Sequence, residues 1–295
     1  YVGGIIGVNG ELDIPEDFKP DQSAADFEEQ VKAIRPLKRF SQDVIVRGWV
    51  NEGIITACGY VEDDTITDPM ASDVERPGYA GGIAGFNAGV LKSCYSKVNS
   101  ANNGKDLVDD AYVLGGTGDY AGGLAGYNCG YIDSGESDLN VRSIVGGRNY
   151  VGGIVGENEQ AEDTASGSDS AYSGRITGYA LGGGYIRGEN FTGGYIGLNT
   201  TPELFTDKDG KLIRIQSNPN LVEGSYYVGG AFGGLIMAAD SNREIVIDCS
   251  VNNFLGDVVS QDTEQPEKGA CVGGYAGYTC LTTDDESGVR PDRGK

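Results

Sequence analysis

The sequence predicts an all-β fold, a right-handed parallel β-helix (β-solenoid) of about eight three-sided coils with one short inserted helix. Three observations predict it. A seven-residue phrase recurs along the chain, glycine supplies 49 of the 295 residues, and apolar residues supply only 39%. Ordinary chains contain about 7% glycine, and a low apolar share suits an interior one coil wide. We expect residues 1–295 to form a single repeat domain.

The recurring phrase reads aromatic (once Cys), small, Gly, Gly, apolar, apolar, Gly. Its seven copies are Tyr1–Gly7, Tyr79–Gly85, Tyr120–Gly126, Tyr150–Gly156, Phe191–Gly197, Tyr227–Gly233 and Cys271–Gly277. Because side chains alternate between the two faces of a strand, positions two, four and six are predicted to line the interior. Positions one and five are predicted to face outward as stacked ladders, which loops could cover. Glycine is expected to allow close backbone approach and positive φ angles.

An asparagine stands two residues after the last glycine in five copies: Asn9, Asn87, Asn128, Asn158 and Asn199. Asparagine accepts turn geometry and can hydrogen-bond along the axis of a stack. The segment 51–58 resembles 87–94, so it reads as the second half of a coil that has lost its phrase, and residues 1–78 then hold two coils. The predicted structural ladder is therefore Asn51, Asn87, Asn128, Asn158 and Asn199.

The shortest step between copies runs from Tyr120 to Tyr150 and indicates the bare coil. It contains three apolar runs, at residues 120–127, 130–132 and 141–145, with polar or glycine turns between them. Three such runs predict three short strands per coil.

Residues 11–44 lack the phrase and are predicted to be an insertion with a short helix. Ser23 is a suitable N-cap, Phe27, Val31 and Ile34 recur at helical spacing, and Pro36 stops the run. The helix is expected over residues 21–35, where it would cap the solenoid or lie against its side.

One short segment offers a weak calcium site. Asp207-Lys208-Asp209-Gly210 resembles the start of a calcium loop, so Asp207 and Asp209 are the candidate Ca²⁺ ligands. Position 218, where such a loop places glutamate, is Asn218, and Asp-Gly between apolar runs predicts a hairpin turn instead. No other cofactor is expected.

The chain has six cysteines and no histidine. Without Cys-x-x-Cys pairs or histidine, a zinc site is not expected. Cys58 and Cys94 hold the same position in the repeat, and with Cys249 they are expected to be buried free thiols. Cys271 and Cys280 flank one phrase and are the pair best placed for a disulfide.

The formal net charge of −22 excludes several partners. Nucleic acid and anionic membrane surfaces both select Lys and Arg, and no apolar run approaches the ~18 residues of a membrane span. We therefore expect no nucleic-acid partner and no membrane insertion within this chain. Because residue 1 lies inside a copy of the phrase, we expect the chain to be a fragment of a longer protein.

The phrase resembles the GLUG repeat, named for its Gly-Leu-any-Gly core. Residues 123–126 match that core literally, and residues 4–7, 82–85 and 153–156 match it with Ile for Leu. The resemblance covers roughly the first ten residues and the chain from about residue 45 onward. It implies a bacterial adhesin, or the non-catalytic repeat region of an immunoglobulin-A-cleaving peptidase, and it carries no catalytic residues.

The resemblance implies a structural or adhesive module that is secreted or lies at the cell surface, and not an enzyme. Its partner would be an unknown host or surface ligand, a protein or a glycan. The alternative is a β-helix polysaccharide lyase or glycoside hydrolase, which can work with Asp and Glu alone. Those carboxylates lie in the variable loops here, and no pair repeats at coil spacing. An ice-binding face needs a threonine ladder, and the phrase offers only Thr192.

Overall fold

The chain is described by a computed structural model at residues 1–16, 18, 34–50, 55–57, 78–96, 113–115, 120–135, 139–205, 209, 215–238, 256–260 and 271–282. These residues form β-strands and two 3-10 turns, Ser170–Tyr172 and Pro202–Phe205. Neighbouring strands run parallel throughout the described residues, except that Leu12–Asp13 lies antiparallel to Arg35–Pro36. The predicted all-β fold with parallel strands is confirmed.

Each copy of the phrase supplies one strand to each of two seven-stranded sheets. The first phrase sheet has the order Val2–Gly3, Tyr79–Gly81, Tyr120–Gly122, Tyr150–Gly152, Phe191–Gly193, Tyr227–Gly229 and Cys271–Gly273. The second phrase sheet has the order Ile6–Asn9, Ala84–Asn87, Ala125–Asn128, Val155–Asn158, Ile196–Asn199, Phe232–Ala238 and Ala276–Thr282. Equivalent phrase positions pair, as Ala121 does with Val151.

Further strands form the remaining sheets. The third large sheet has the order Asp257–Ser260, Leu221–Gly224, Tyr179–Arg187, Leu139–Gly146, Val113–Gly115 and Ile55–Ala57, with Gln216–Asn218 also paired to Tyr179–Arg187. A four-stranded sheet has the order Arg175–Thr177, Tyr131–Asp133, Val90–Lys92 and Ile45–Val46. Two small sheets pair Tyr95–Ser96 with Trp49–Val50 and Asp163–Thr164 with Arg39–Phe40.

The repeat that starts at Tyr120 contains four strands, so the prediction of three strands per coil is wrong. The run 120–127 breaks at Gly123 and Leu124 into two strands that belong to different sheets. The break is a sharp corner: a Cβ atom at Gly122 would lie only 1.9 Å from the Ala125 carbonyl oxygen. A continuous strand cannot bring those two residues together.

The first two copies of the phrase pair directly, so residues 1–78 span one step of the phrase sheets and not two. Val2 pairs with Ala80, and Asn9 pairs with Asn87. The described part of the chain therefore stacks seven copies rather than about eight coils.

The match of residues 51–58 to 87–94 is also wrong. Val46 pairs with Leu91 and Trp49 with Tyr95, while strand Ile55–Ala57 pairs with Val113–Gly115 in the third large sheet. Residues 45–50 thus pair with residues 90–96, the place in the repeat that was predicted for residues 51–58. Cys58, which was predicted to hold the same position as Cys94, lies outside the described residues.

The main core lies between the phrase sheets and the third large sheet. Positions two and six line it, as predicted, with residues such as Ala121 and Val155 fully buried. Position five was predicted to face outward, and this is wrong: Ile83, Leu124 and Ile154 are 0% exposed in the same core. Burying each of these side chains stabilises the fold by about 1.5–3 kcal/mol.

Phrase glycines serve close backbone approach. In all seven copies, a Cβ atom at position three would lie 1.8–2.0 Å from the carbonyl oxygen of position six. Positive φ angles, which the sequence analysis also expected of these glycines, occur instead at other glycines such as Gly174 and Gly178. Glycine is needed at position three because a side chain there would collide with the backbone carbonyl of position six.

The insertion is described only in part. Residues 19–33, where most of the predicted helix falls, lie outside the described residues, and Arg35 belongs to a strand. The described portion pairs with the rest of the fold through strand Arg39–Phe40, which lies parallel to Asp163–Thr164.

Candidate functional site

A continuous ladder of asparagine side chains follows the second phrase sheet. The amide Nδ2 of each asparagine donates to the Oδ1 of the next, at 2.7 Å from Asn9 to Asn87 and 2.6 Å from Asn87 to Asn128. The ladder continues at 2.7 Å from Asn128 to Asn158 and at 2.8 Å from Asn158 to Asn199. All five residues are 0% exposed.

The second amide proton of several rungs binds the backbone. Asn158 Nδ2 donates to Gly174 O at 2.9 Å, and Asn199 Nδ2 donates to Thr201 O at 2.7 Å. A buried amide left without partners costs about 1–3 kcal/mol. These bonds therefore tie the second phrase sheet to the turn that leaves it.

Four of the five predicted ladder residues, Asn87, Asn128, Asn158 and Asn199, occupy paired positions in this column. Asn51 lies outside the described residues. The first rung is Asn9, which the recurring spacing had marked but the predicted ladder replaced by Asn51. In the fifth step Asn199 pairs with Leu235, where the ladder ends.

The sequence analysis missed a second pair of this kind. Asn190 Nδ2 donates to Asn149 Oδ1, and both side chains are less than a tenth exposed. The sequence carried a signal for this pair, because each asparagine immediately precedes a copy of the phrase, Asn149 before Tyr150 and Asn190 before Phe191.

Position one of the phrase forms an aromatic ladder beside the first phrase sheet. Neighbouring rings stack with centroids 4.4 Å apart between Tyr79 and Tyr120, 4.7 Å between Tyr120 and Tyr150, and 5.7 Å between Tyr150 and Phe191. Tyr120, Tyr150 and Phe191 are less than a tenth exposed. The predicted ladder exists, but it forms a second buried cluster and not an exposed face.

The segment 38–42 is attached to the loop 159–168 beside this cluster. Lys38 Nζ lies 2.6 Å from a carboxylate oxygen of Glu159 and 5.2 Å from the centroid of the Tyr127 ring. Tyr127 donates its hydroxyl proton to the same Glu159 carboxylate. Gln42 donates to the carbonyl of Gly167 at 2.7 Å. These contacts cover Tyr127, which in turn packs edge-on against Tyr120 of the aromatic ladder.

Charge at this contact shifts the pKa of Lys38. Burial alone would lower the pKa, but the carboxylates of Glu159, Glu157 and Glu162 outweigh burial and raise it. Lys38 therefore remains an ammonium. Glu157 is only 1% exposed and lies in the second phrase sheet, where it pairs with Tyr127 on one side and Leu198 on the other.

A buried ion pair joins the four-stranded sheet to the second 3-10 turn. The guanidinium of Arg175 donates from Nη2 to the Glu203 carboxylate and from Nη1 to the Glu203 backbone carbonyl at 2.9 Å. The side chains are 5% and 7% exposed. Such a pair fixes a turn in one position.

Neither the calcium hypothesis nor any other metal centre gains support. Asp207 lies outside the described residues, and Asp209 is an exposed turn residue. Within the described ranges, no group of three or more His, Cys, Asp or Glu side chains could hold a metal ion.

Comparison with models of protein families, with curated proteins and with solved structures finds no match to this chain. In the part of the chain that the structure describes, no helix has the length and apolar character needed to cross a membrane.

Cysteine accessibility gives one testable prediction. Cys94 is a buried free thiol, as predicted, and Cys129 is buried as well, while Cys271 is exposed and free, so no bridge joins it to Cys280. Burial raises the pKa of Cys94 to about 11 and that of Cys129 to about 12. Because the thiolate is the nucleophile, brief iodoacetamide treatment of the native chain at neutral pH should modify Cys271 and spare Cys94 and Cys129.

Peptide mass mapping measures the alkylated fraction at each site, with urea-unfolded chain as the control for full labelling. Equal modification of Cys129 and Cys271 in the native chain would contradict this placement.

Buried tyrosines predict a loss of stability in alkali. Burial raises the pKa of Tyr79, Tyr179 and Tyr195 above its ordinary value. A group whose pKa is raised by folding contributes stability below its unfolded pKa, about 10 for tyrosine, and that contribution is lost as pH rises above it. The free energy of unfolding should therefore fall above about pH 10, where only the unfolded chain ionises these phenols.

Phenolate absorbance during an alkaline titration, followed together with circular dichroism, checks this. The buried phenols should ionise only as the β signal is lost. Ionisation of every tyrosine near pH 10 with the fold intact would contradict it.

Proposed function

We propose that this chain is a structural or adhesive module of a secreted or cell-surface bacterial protein, built as a right-handed parallel β-solenoid and akin to GLUG repeats. The observation that carries the proposal is the register of the seven phrase copies, which pair position by position in two parallel sheets. Stacked repeats of this kind give an extended scaffold whose stability comes from neighbouring coils.

The path of the chain supports closed coils. In the repeats that start at Tyr79, Tyr120 and Tyr150, the chain visits the first phrase sheet, the second phrase sheet, the four-stranded sheet and the third large sheet in that order, then begins again. Parallel strands joined by such crossovers are right-handed in about 98% of cases. A closed right-handed coil is the simplest path that satisfies these pairings.

The use of polar groups supports a scaffold as well. The buried asparagines bind one another and the backbone, and the buried Arg175 binds Glu203. These groups hold coils together, whereas a hydrolase would present carboxylates along one groove. The acidic exterior keeps an elongated protein soluble.

Surface exposure tests the proposal. Intact cells of the producing organism are treated briefly with protease, and the released peptides are compared with those from lysed cells. Peptides from the loop 160–170 should be released from intact cells, and their recovery only after lysis would overturn the surface assignment. A cytoplasmic enzyme digested in the same sample serves as the control for cell integrity.

A further inference from the structure

The only tryptophan of the chain, Trp49, is exposed on a strand. Its side chain is 70% accessible to solvent, the largest exposure among the exposed large hydrophobic residues of the described ranges. Other aromatic residues of comparable size, such as Tyr195, are buried in the core. Trp49 lies on the outermost described strand of its sheet, so the indole is presented to solvent at the end of the stack.

The indole is held in place by the neighbouring coil. Trp49 pairs with Tyr95 across the small sheet, and their ring centroids lie 6.0 Å apart at an interplanar angle of 61°. Trp49 Nε1 donates to the carbonyl oxygen of Ser93 at 3.3 Å. The hydrogen bond fixes the Nε1 edge of the indole, and the ring faces of Trp49 do not stack against Tyr95.

Ser93 supports this arrangement in a strained conformation. Its φ angle is 52°, and among the described residues it is the one non-glycine residue with a positive φ. Its amide donates to Asp133 O at 2.7 Å, and its hydroxyl donates to Ser134 O at 3.1 Å. Backbone strain persists where the surroundings impose it, and it clusters at functional sites.

Two polar residues, Lys92 and Asp133, lie on the strands next to this pair of rings. Lys92, the residue before Ser93, pairs with Asp133 in the four-stranded sheet, and both are partly exposed. One Asp133 carboxylate oxygen accepts the Gly135 amide at 3.0 Å and the Thr177 hydroxyl at 3.2 Å, which fixes the carboxylate. Lys92 is thus the chain neighbour of Ser93, and Asp133 lies opposite Lys92 on the paired strand, so a hydrogen-bond donor and an acceptor stand next to the rings.

We propose that this aromatic corner, defined as Trp49, Ser93 and Tyr95 with Lys92 and Asp133, binds a neutral glycan through one or two pyranose rings. The proposal rests on the proposed function and names the ligand class of the module. An aromatic face carries negative charge density, so it attracts the polarised C–H groups on the flat face of a sugar. The ammonium and carboxylate of Lys92 and Asp133 match hydroxyl groups at the sugar edge.

A small polar ligand fits the corner better than a protein does. Stable protein interfaces bury at least about 1,000 Å² in total, far more than the one exposed indole of this corner offers. The net charge of −22 disfavours anionic glycans and nucleic acid. A neutral glycan of flat-faced pyranose units is the remaining ligand class that would contact both the aromatic rings and the side chains of Lys92 and Asp133.

Intrinsic fluorescence tests the proposal, because Trp49 is the sole tryptophan and reports on its own site. Cellotetraose and chitotetraose are titrated into the whole chain. A saturable change in emission is expected for at least one of them. Tyr95→Ala should weaken that binding about five- to tenfold, the loss that one aromatic contact carries, and Tyr95→Phe should restore it to within about twofold.

Tyr185→Ala is the matched control, because Tyr185 is also a partly exposed strand tyrosine but lies in the third large sheet. It should bind as the parent chain does. Trp49→Ala removes the fluorophore, so saturation-transfer NMR is used for this variant, and the sugar signal should disappear. Circular dichroism confirms that each variant keeps its β content.

Unchanged emission with both sugars up to about 10 mM would overturn the proposal, as would equal binding by Tyr95→Ala. Trp49-dependent attachment of the chain to enzymatically deglycosylated cells would overturn it in favour of a protein partner. If any of these results is found while the loop 160–170 is still released from intact cells, the surface-module proposal is kept. Only the glycan ligand is then rejected.

Discussion

Replacing Gly153 by alanine should destabilise the fold by about 3 kcal/mol or more. The new Cβ atom would lie 2.2 Å from the carbonyl oxygen of Gly194 and 2.8 Å from Cδ1 of Leu181. The carbonyl belongs to the next copy of the phrase, whose strand Phe191–Gly193 is paired on both sides, so it cannot move without disturbing several strands. The midpoint of guanidinium unfolding, followed by circular dichroism, measures the loss.

Gly274→Ala is the matched control for Gly153→Ala. Both glycines occupy position four of the phrase, but a Cβ atom at Gly274 meets nothing within 4 Å. The stability of this variant should stay within about 1 kcal/mol of the parent chain. Equal losses at the two positions would show that alanine is rejected for a reason other than contact with the next coil.

The Asn128→Ala variant should be less stable by about 1–3 kcal/mol. Asn128 accepts a hydrogen bond from Asn87 at 2.6 Å and donates one to Asn158 at 2.7 Å. Alanine leaves a buried donor on one side and a buried acceptor on the other. Asn220→Ala, at an exposed position, is the control and should change stability by less than about 0.5 kcal/mol.

A double-mutant cycle separates the ladder from loss of packing. If Asn128 and Asn158 act through their shared bond, the double variant should lose less than the sum of the two single variants, by about 0.5 kcal/mol or more. Additive losses measured by chemical unfolding would show that the two asparagines contribute independently and that the continuous ladder has no energetic role.

Sequence spacing predicted the repeat well because each phrase repeats a physical requirement. Asn128 and Asn158 recur at one place because a buried amide needs an equivalent amide above and below it. The outward orientation predicted for Leu124 failed because the phrase is two strands joined by a corner and not one strand. Alternation stops at the corner, so Leu124 enters the core together with Ala125.

Other features had no local signal. The contact of Gln42 with Gly167 joins residues 125 positions apart, a pairing that spacing within one repeat cannot show. The misplacement of residues 51–58 has a related cause: a short match to 87–94 was preferred to the strand pairing that places Trp49 beside Tyr95. That pairing creates the aromatic corner.

Pulsed electron resonance across the first phrase sheet tests the central claim, that the phrases stack in register, most directly. One spin label is placed at Tyr1→Cys and the other at Cys271, the exposed first positions of the first and last copies, after Cys58, Cys249 and Cys280 are replaced by serine. The seven strands in that sheet order leave six intervals between these positions. At about 4.8 Å per interval, a narrow distance distribution near 29 Å is expected. A broad distribution, or a mean distance beyond about 45 Å, would contradict the stacked register.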